Sequence, residues 1–151
     1  MSKARLSALA TAAKYLQTSE RTEAELRKHL VARDFPPTEI EAAVAWAVQK
    51  RYVSDSRLAE REVETAKGPR AIGRDKARAK LEKRGASEES VEQAMAHYSE
   101  AEELQVALRL AQSKFTSENK PEKIARFLLG RGFGEEAVRA TIATFRPDLE
   151  W

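Results

Sequence analysis

One motif recurs three times along this chain at intervals of about fifty residues, and such a period is the mark of a repeat architecture. Leu30-Val31-Ala32-Arg33-Asp34-Phe35 is followed by Ile40 and Val44. Leu81-Glu82-Lys83-Arg84-Gly85-Ala86 is followed by Val91 and Met95, and Leu128-Leu129-Gly130-Arg131-Gly132-Phe133 by Val138 and Ile142. Each copy has a leucine, an arginine three residues on, a turn residue, an apolar or small residue, and a further apolar residue ten after the leucine. A unit of this size buries little by itself. Stacked neighbours would share apolar faces, which predicts an array in place of a globule. The fold class expected is all-α: three tandem three-helix modules, 1–52, 53–98 and 99–151, in an elongated, curved helical array.

Local signals divide each module into three helices. In the first, Leu6 to Gln17 forms a helix whose stripe is expected to be Leu6, Leu9, Ala10, Ala13 and Leu16. Thr22-Glu23-Ala24-Glu25 has the form of a capping box, in which hydroxyl and carboxylate satisfy each other's free backbone donors. Leu26 and Leu30 supply the buried stripe of the second helix. Pro36-Pro37 opens the third, since proline in the first turn lacks only a donor that would be unpaired anyway. There Ile40, Val44 and Val48 share a face. The second module is expected to have helices at 55–66, 74–84 and 87–98, and the third at 100–114, 121–131 and 135–145. Gly85 and Gly132 fall where a helix must end in a left-handed turn, which glycine adopts without strain.

Composition supports helix and removes several functions. Alanine, leucine, arginine, lysine and glutamate dominate, residues that lose little rotamer freedom in a helix. The absence of cysteine excludes disulfides, thiolate metal sites and thiol nucleophiles, and fits a cytoplasmic location. No apolar run approaches the roughly 20 residues of a membrane span. Lys3, Arg5 and Lys14 have no acid among them, as in a transit peptide, but the apolar helical pattern assigns residues 1–16 to the mature fold. A net charge of +3 is weak for a dedicated nucleic-acid binder. The distribution is more telling: residues 67–84 hold eight basic residues against Asp75 and Glu82.

Several segments together resemble one family. Ser19-Glu20-Arg21-Thr22-Glu23-Ala24-Glu25-Leu26 with Leu30, Tyr52-Val53-Ser54-Asp55-Ser56-Arg57-Leu58, Lys83-Arg84-Gly85 and residues 123–133 (KIARFLLGRGF) stand in order and at suitable intervals. In these, and in its three tandem three-helix modules, the chain resembles the RecX family of RecA regulators over nearly its whole length. It differs from the usual pattern in having Ser54 before a single Asp55 where two acids are common, Leu58 for phenylalanine, and Gly68-Pro69 farther from Leu81. A monomer without cofactor, metal or catalytic residue is expected. The resemblance implies binding in or along the groove of a RecA–DNA filament, blocking extension, strand exchange or co-protease activity.

The residues expected to carry partner or DNA contact are Arg70, Arg74, Lys76, Arg78, Lys80, Lys83 and Arg84. Lys76, Lys80 and Lys83 recur at helical spacing opposite Ala77 and Leu81, forming a ridge able to meet acidic patches or, through the filament, DNA phosphates. Trp46 lies off the Ile40–Val44 face and is expected to pack on the neighbouring module, while Trp151 carries no signal. Gly68 to Asp75 nearly matches a phosphate-binding loop, but Arg74 and Asp75 replace the lysine and hydroxyl such a loop needs. His29 and His97 belong to different modules with no ligand spacing, and are expected near the surface. Glu88-Glu89 and Glu102-Glu103 read as first-turn charges favouring the helix dipole. An enzyme is therefore not expected. Two other classes remain: a sequence-independent DNA binder, which would lack the Asn and Gln interleaving that reads base edges, and a scaffold indifferent to both RecA and DNA.

Overall fold

A computed structural model describes residues 6–149, which form α1 (Ala8–Leu16), α2 (Glu23–Val31), α3 (Pro37–Gln49), α4 (Asp55–Ala66), α5 (Arg74–Lys83), α6 (Glu88–Met95), α7 (Glu100–Lys114), α8 (Pro121–Gly130) and α9 (Glu135–Phe145). No strand occurs among the described residues. Each helix packs chiefly against the other two of its own trio, so the helices group as α1–α3, α4–α6 and α7–α9. Two start signals act as the sequence indicates: Thr22 and Glu25 close a reciprocal capping box, and Pro37 opens α3. Ser54 and Ser87 also accept from the amides of Arg57 and Ser90, and Pro121 opens α8. Gly85 and Gly132 have φ of 78° and 85°. Asp34, at the same place in the first copy, holds φ of 61° with a side chain attached.

The chain exposes 9751 Å², against about 7,700 Å² for a compact monomer of this mass. That excess agrees with stacked units. The stacking is uneven, however. One continuous apolar core runs through α4–α9, from Leu58, Val63 and Leu81 to Ile124, Leu128 and Ile142. The first trio encloses a separate core around Leu26, Leu30, Ile40 and Val44.

Within that first trio only part of the expected α1 stripe faces inward: Leu16 packs against the core and Ala10 and Ala13 are half-buried. Leu6 and Leu9 are 53% and 42% exposed, whereas Ala8, Thr11 and Ala12 are buried. Small residues permit this: α1 packs on α3, and Ala8 and Ala12 of α1 and Ala43 and Ala47 of α3 are nearly inaccessible in the same core. Small residues bring helix axes together, and larger leucines there would hold them apart. Val48 is exposed for the same reason, with Ala47 taking the inward position. Trp46 does not rest on the neighbouring trio's core. It packs against the first core and meets Tyr52 edge to face at 5.3 Å. Trp151 lies outside the described residues, as do residues 1–5 of the proposed N-terminal segment.

Candidate partner-binding face

The two boundaries between trios are built on one plan from different residues. At the first, Arg84 reaches back from the end of α5 to the segment entering α2. Its Nη2 donates to the Glu20 carbonyl at 2.8 Å and to Glu25 Oε1 at 2.9 Å, and its Nε to Glu25 Oε2 at 3.2 Å. The Thr22 hydroxyl donates back to the Arg84 carbonyl at 2.7 Å. Asp55, almost buried, accepts from the amides of Glu23 and Ser87, both at 2.9 Å, so one carboxylate holds the starts of α2 and α6. At the second boundary Arg131 reaches from the end of α8 to the segment entering α5, donating to the carbonyls of Ala71 and Arg70. Gly73 N donates to the Arg131 carbonyl at 2.8 Å. Buried Glu103 of α7 accepts from the amide of Arg74 at 2.7 Å, capping a helix whose own cap residue has no side chain. Within the middle trio Tyr98 holds the same segment, its hydroxyl donating to the Ile72 carbonyl at 2.9 Å, and burial pushes its phenol far up so that it stays protonated.

These contacts sort the seven candidate cations. Arg84 is the fastener of the first boundary. Arg74 donates from Nε to the Tyr98 carbonyl. Arg78 pairs with Glu92 across to α6 and stands 4.0 Å from Glu82. Arg70 is exposed on the connector before α5. Lys76, Lys80 and Lys83 are exposed along one side of α5 while Ala77 and Leu81 on the other are buried. No acid pairs with any of the three lysines among the described residues. The structure thus brings Lys76, Lys80 and Lys83 into one free ridge and ties Arg74 and Arg78 of α5, and Arg84 at its C-cap, into the fold. In the Gly68–Asp75 segment, the Gly73 and Arg74 amides that a phosphate would need already donate to Arg131 and Glu103.

No His, Asp or Glu group among the described residues is arranged to hold a metal ion. Among them, too, no helix is long and apolar enough to cross a membrane. His97 is exposed. His29 is half-buried and stacks on Tyr15 with ring centroids 3.7 Å apart.

Comparison with known proteins places this architecture. Residues 8–46 match the family described as RecX, first three-helix domain. A Regulatory protein RecX from Cronobacter sakazakii is 30% identical over 149 residues, spanning 89% of this chain and 89% of its own length. The chain belongs to the RecX family. Another RecX regulatory protein, from Geobacillus kaustophilus, is 29% identical over 135 residues, which cover 85% of this chain and 50% of that protein. The crystal structure of RecX from Lactobacillus salivarius superposes with a TM-score of 0.79 at 22% identity, covering 93% of this chain and 95% of that one. A second RecX crystal structure gives a TM-score of 0.73 at 19% identity, with 94% of this chain and 72% of the other covered. RecX proteins carry the name of regulators, and this chain shares their all-helical fold.

Acid should loosen the first boundary of this RecX chain. Burial alone would raise the Glu25 carboxyl, but the Arg84 hydrogen bond, the Thr22 amide and the nearby positive charges outweigh it and leave the carboxyl below its ordinary value. A carboxyl lowered on folding stabilises fully above its unfolded value, and that contribution disappears as pH falls through the lower folded value. At neutral pH, Arg84→Gln is expected to cost about 1–2 kcal/mol. The gap between wild type and variant should narrow as denaturation is followed from about pH 6 to pH 3. A gap that stays constant over that range would show Glu25 and Arg84 to be uncoupled.

Proposed function

We propose that this chain regulates the RecA recombinase by binding in or along the groove of the RecA–DNA filament, with inhibition of recombinase, ATPase and co-protease activity as the result. RecX-family membership supports RecA as the partner. The observation carrying the binding mode is the ridge of Lys76, Lys80 and Lys83, three exposed ammonium groups on one side of α5 whose partners are not in the described fold. Exposed cations left unpaired on a rigid helix are available to acidic side chains or to phosphates, and they draw either from a distance. Arg70 adds a further exposed charge on the connector before α5. Three modules, 1–52, 53–98 and 99–151, acting as a cytoplasmic monomer, would lay the ridge along a filament with α1–α3 and α7–α9 on either side.

The test is RecA's DNA-dependent ATP hydrolysis on single-stranded DNA as the protein is titrated in. Inhibition well below the protein concentration that coats the DNA is the expected result. Inhibition only once the DNA is coated, with affinity for naked DNA falling steeply with salt, would replace this reading with sequence-independent DNA binding. No effect at any concentration would remove RecA from the account.

A further inference from the structure

The repeat places an arginine at Arg33, Arg84 and Arg131, and two of the three have the same occupation. Arg84 holds Glu25 and the Glu20 carbonyl, and Arg131 holds the Ala71 and Arg70 carbonyls. In both cases the guanidinium grips the few residues that lead into the second helix of the preceding trio. Among the described residues no trio lies before that of Arg33. Its Nη1 meets, among the same residues, His29 of α2, at 3.2 Å from Nδ1 and 3.5 Å from the carbonyl. No carboxylate pairs with it among the described residues.

The surroundings are made for an anion. Arg33 opens on a cleft of about 490 Å³ against α1, whose polar wall is Lys14, Tyr15, Thr18 and His29 and whose apolar wall includes Leu6 and Phe35, with no acidic residue in it. Arg21 lies over the Tyr15 ring at 4.6 Å, with its Nε buried and unpartnered. Burial first, then the charges of Arg33 and Arg21, holds the His29 imidazole below its usual value, so the cleft already disfavours a further positive charge.

We propose that this cleft docks the acidic start of a helix from a partner protein, gripped by Arg33 as Arg84 grips Glu20 to Glu25. A planar guanidinium suits that target, because it meets a carboxylate in two parallel bonds and still has donors for carbonyls. The occupant is not a second copy of this chain. The start of α8 has a single first-turn acid, Glu122, between Lys120 and Lys123, where the segment that Arg84 grips has Glu23 and Glu25. Moreover, Gly85 and Gly132 approach the preceding trio so closely that a Cβ would come within 2.7 Å of the Ala24 Cβ and 2.2 Å of the Lys76 Cβ. Asp34 carries a Cβ at that position with the same positive φ, so a partner must sit farther off than a fourth trio would. The inference is independent of RecA and stands or falls separately from the reading above.

The probe is a blocked peptide of residues 18–31, which contains the acidic segment that Arg84 recognises, titrated into the full-length protein and followed by NMR. The expected result is saturable binding that perturbs His29 and Arg33 and raises the His29 pKa, since a carboxylate would offset Lys14, Arg21 and Arg33 around it. Peptide affinity should fall about tenfold with Arg33→Gln, as loss of a charge-assisted bond implies. It should fall similarly with the peptide's Glu20 and Glu25 changed to Gln, while the amide spectrum of the variant protein remains that of the folded chain. Binding unaffected by Arg33→Gln, perturbation at Lys76 and Lys80 without His29, or no binding would overturn the proposal. So would tighter binding of oligothymidylate or inorganic phosphate in the same cleft, which would make it a phosphate site.

Discussion

Replacing Gly73 with alanine is expected to destabilise α4–α9 by about 3 kcal/mol, although the same exchange at most surface positions is mildly favourable. Alanine ordinarily gains about 0.4–1 kcal/mol by restricting the unfolded chain, and nothing in the Gly73 backbone opposes it, with φ of −76°. Space opposes it. A Cβ at Gly73 would stand 2.2 Å from the Gly132 carbonyl oxygen and 2.4 Å from the Phe133 Cα. These are backbone atoms, fixed by the Arg131 grip and by buried Phe133, so relief requires the second boundary to part and overpacking costs of that order follow. For a chain of this length the melting temperature should fall by about 10 °C. Gly130→Ala is the control. Nothing lies within 4 Å of a Cβ there, and its place in α8 predicts a gain of about 0.5–1 kcal/mol. Because the first trio has its own core, hydrogen exchange in Gly73→Ala should show amides of α4–α9 losing protection while those of α1–α3 keep theirs. Stability equal to wild type would mean that the Gly132–Phe133 segment can retreat at little cost.

Gly73 also shows which parts of the fold the chain's local signals could not convey. Helix positions were legible because caps and prolines act within a few residues: the Thr22–Glu25 box, Ser54, Ser87, Pro37 and Pro121 each start a helix where they stand. The boundaries are held by pairs 29 to 64 residues apart, such as Arg84 with Glu20 and Arg74 with Glu103, and no spacing rule reaches so far. Asp55 and Glu103 cap helices in other parts of the chain, so neither forms a recognisable box. One clue was present. An arginine repeated in step with the leucines of Leu81–Arg84 and Leu128–Arg131 is explained by a contact the repeat makes with itself, as both prove to do. The α1 face was misread because hydrophobicity weights Leu6 and Leu9 above Ala8 and Ala12, whereas close packing on Ala43 and Ala47 depends on smallness. The candidate site was legible as a helix but not as a set of free charges, since only the fold distinguishes the lysines from the arginines.

That distinction leads to the second large effect. Changing Lys76, Lys80 and Lys83 together to glutamate is expected to weaken filament binding by about 10- to 100-fold, because each replacement removes an attraction and adds a repulsion. The fold should survive, since the three ammonium groups have no partners among the described residues and their side chains lie opposite the buried Ala77 and Leu81. The last two lysines do sit in the final turn of α5, where acids oppose the helix dipole. A parallel change to glutamine separates that effect from binding and should give an intermediate loss. Arg84→Gln provides the converse, reducing stability through the first boundary while leaving the ridge in place, so filament affinity measured below its melting temperature should stay near wild type. Salt then identifies what the ridge touches. If the lysines meet DNA phosphates within the filament, the slope of log affinity against log salt should drop by about one for each lysine removed. If they meet carboxylates of the filament protein, no counterions are released from DNA and the slope should change far less. Equal filament affinity for wild type and the triple glutamate variant would take the ridge out of the mechanism and turn attention to the remaining exposed surfaces, the α1 face and the Arg33 cleft among them.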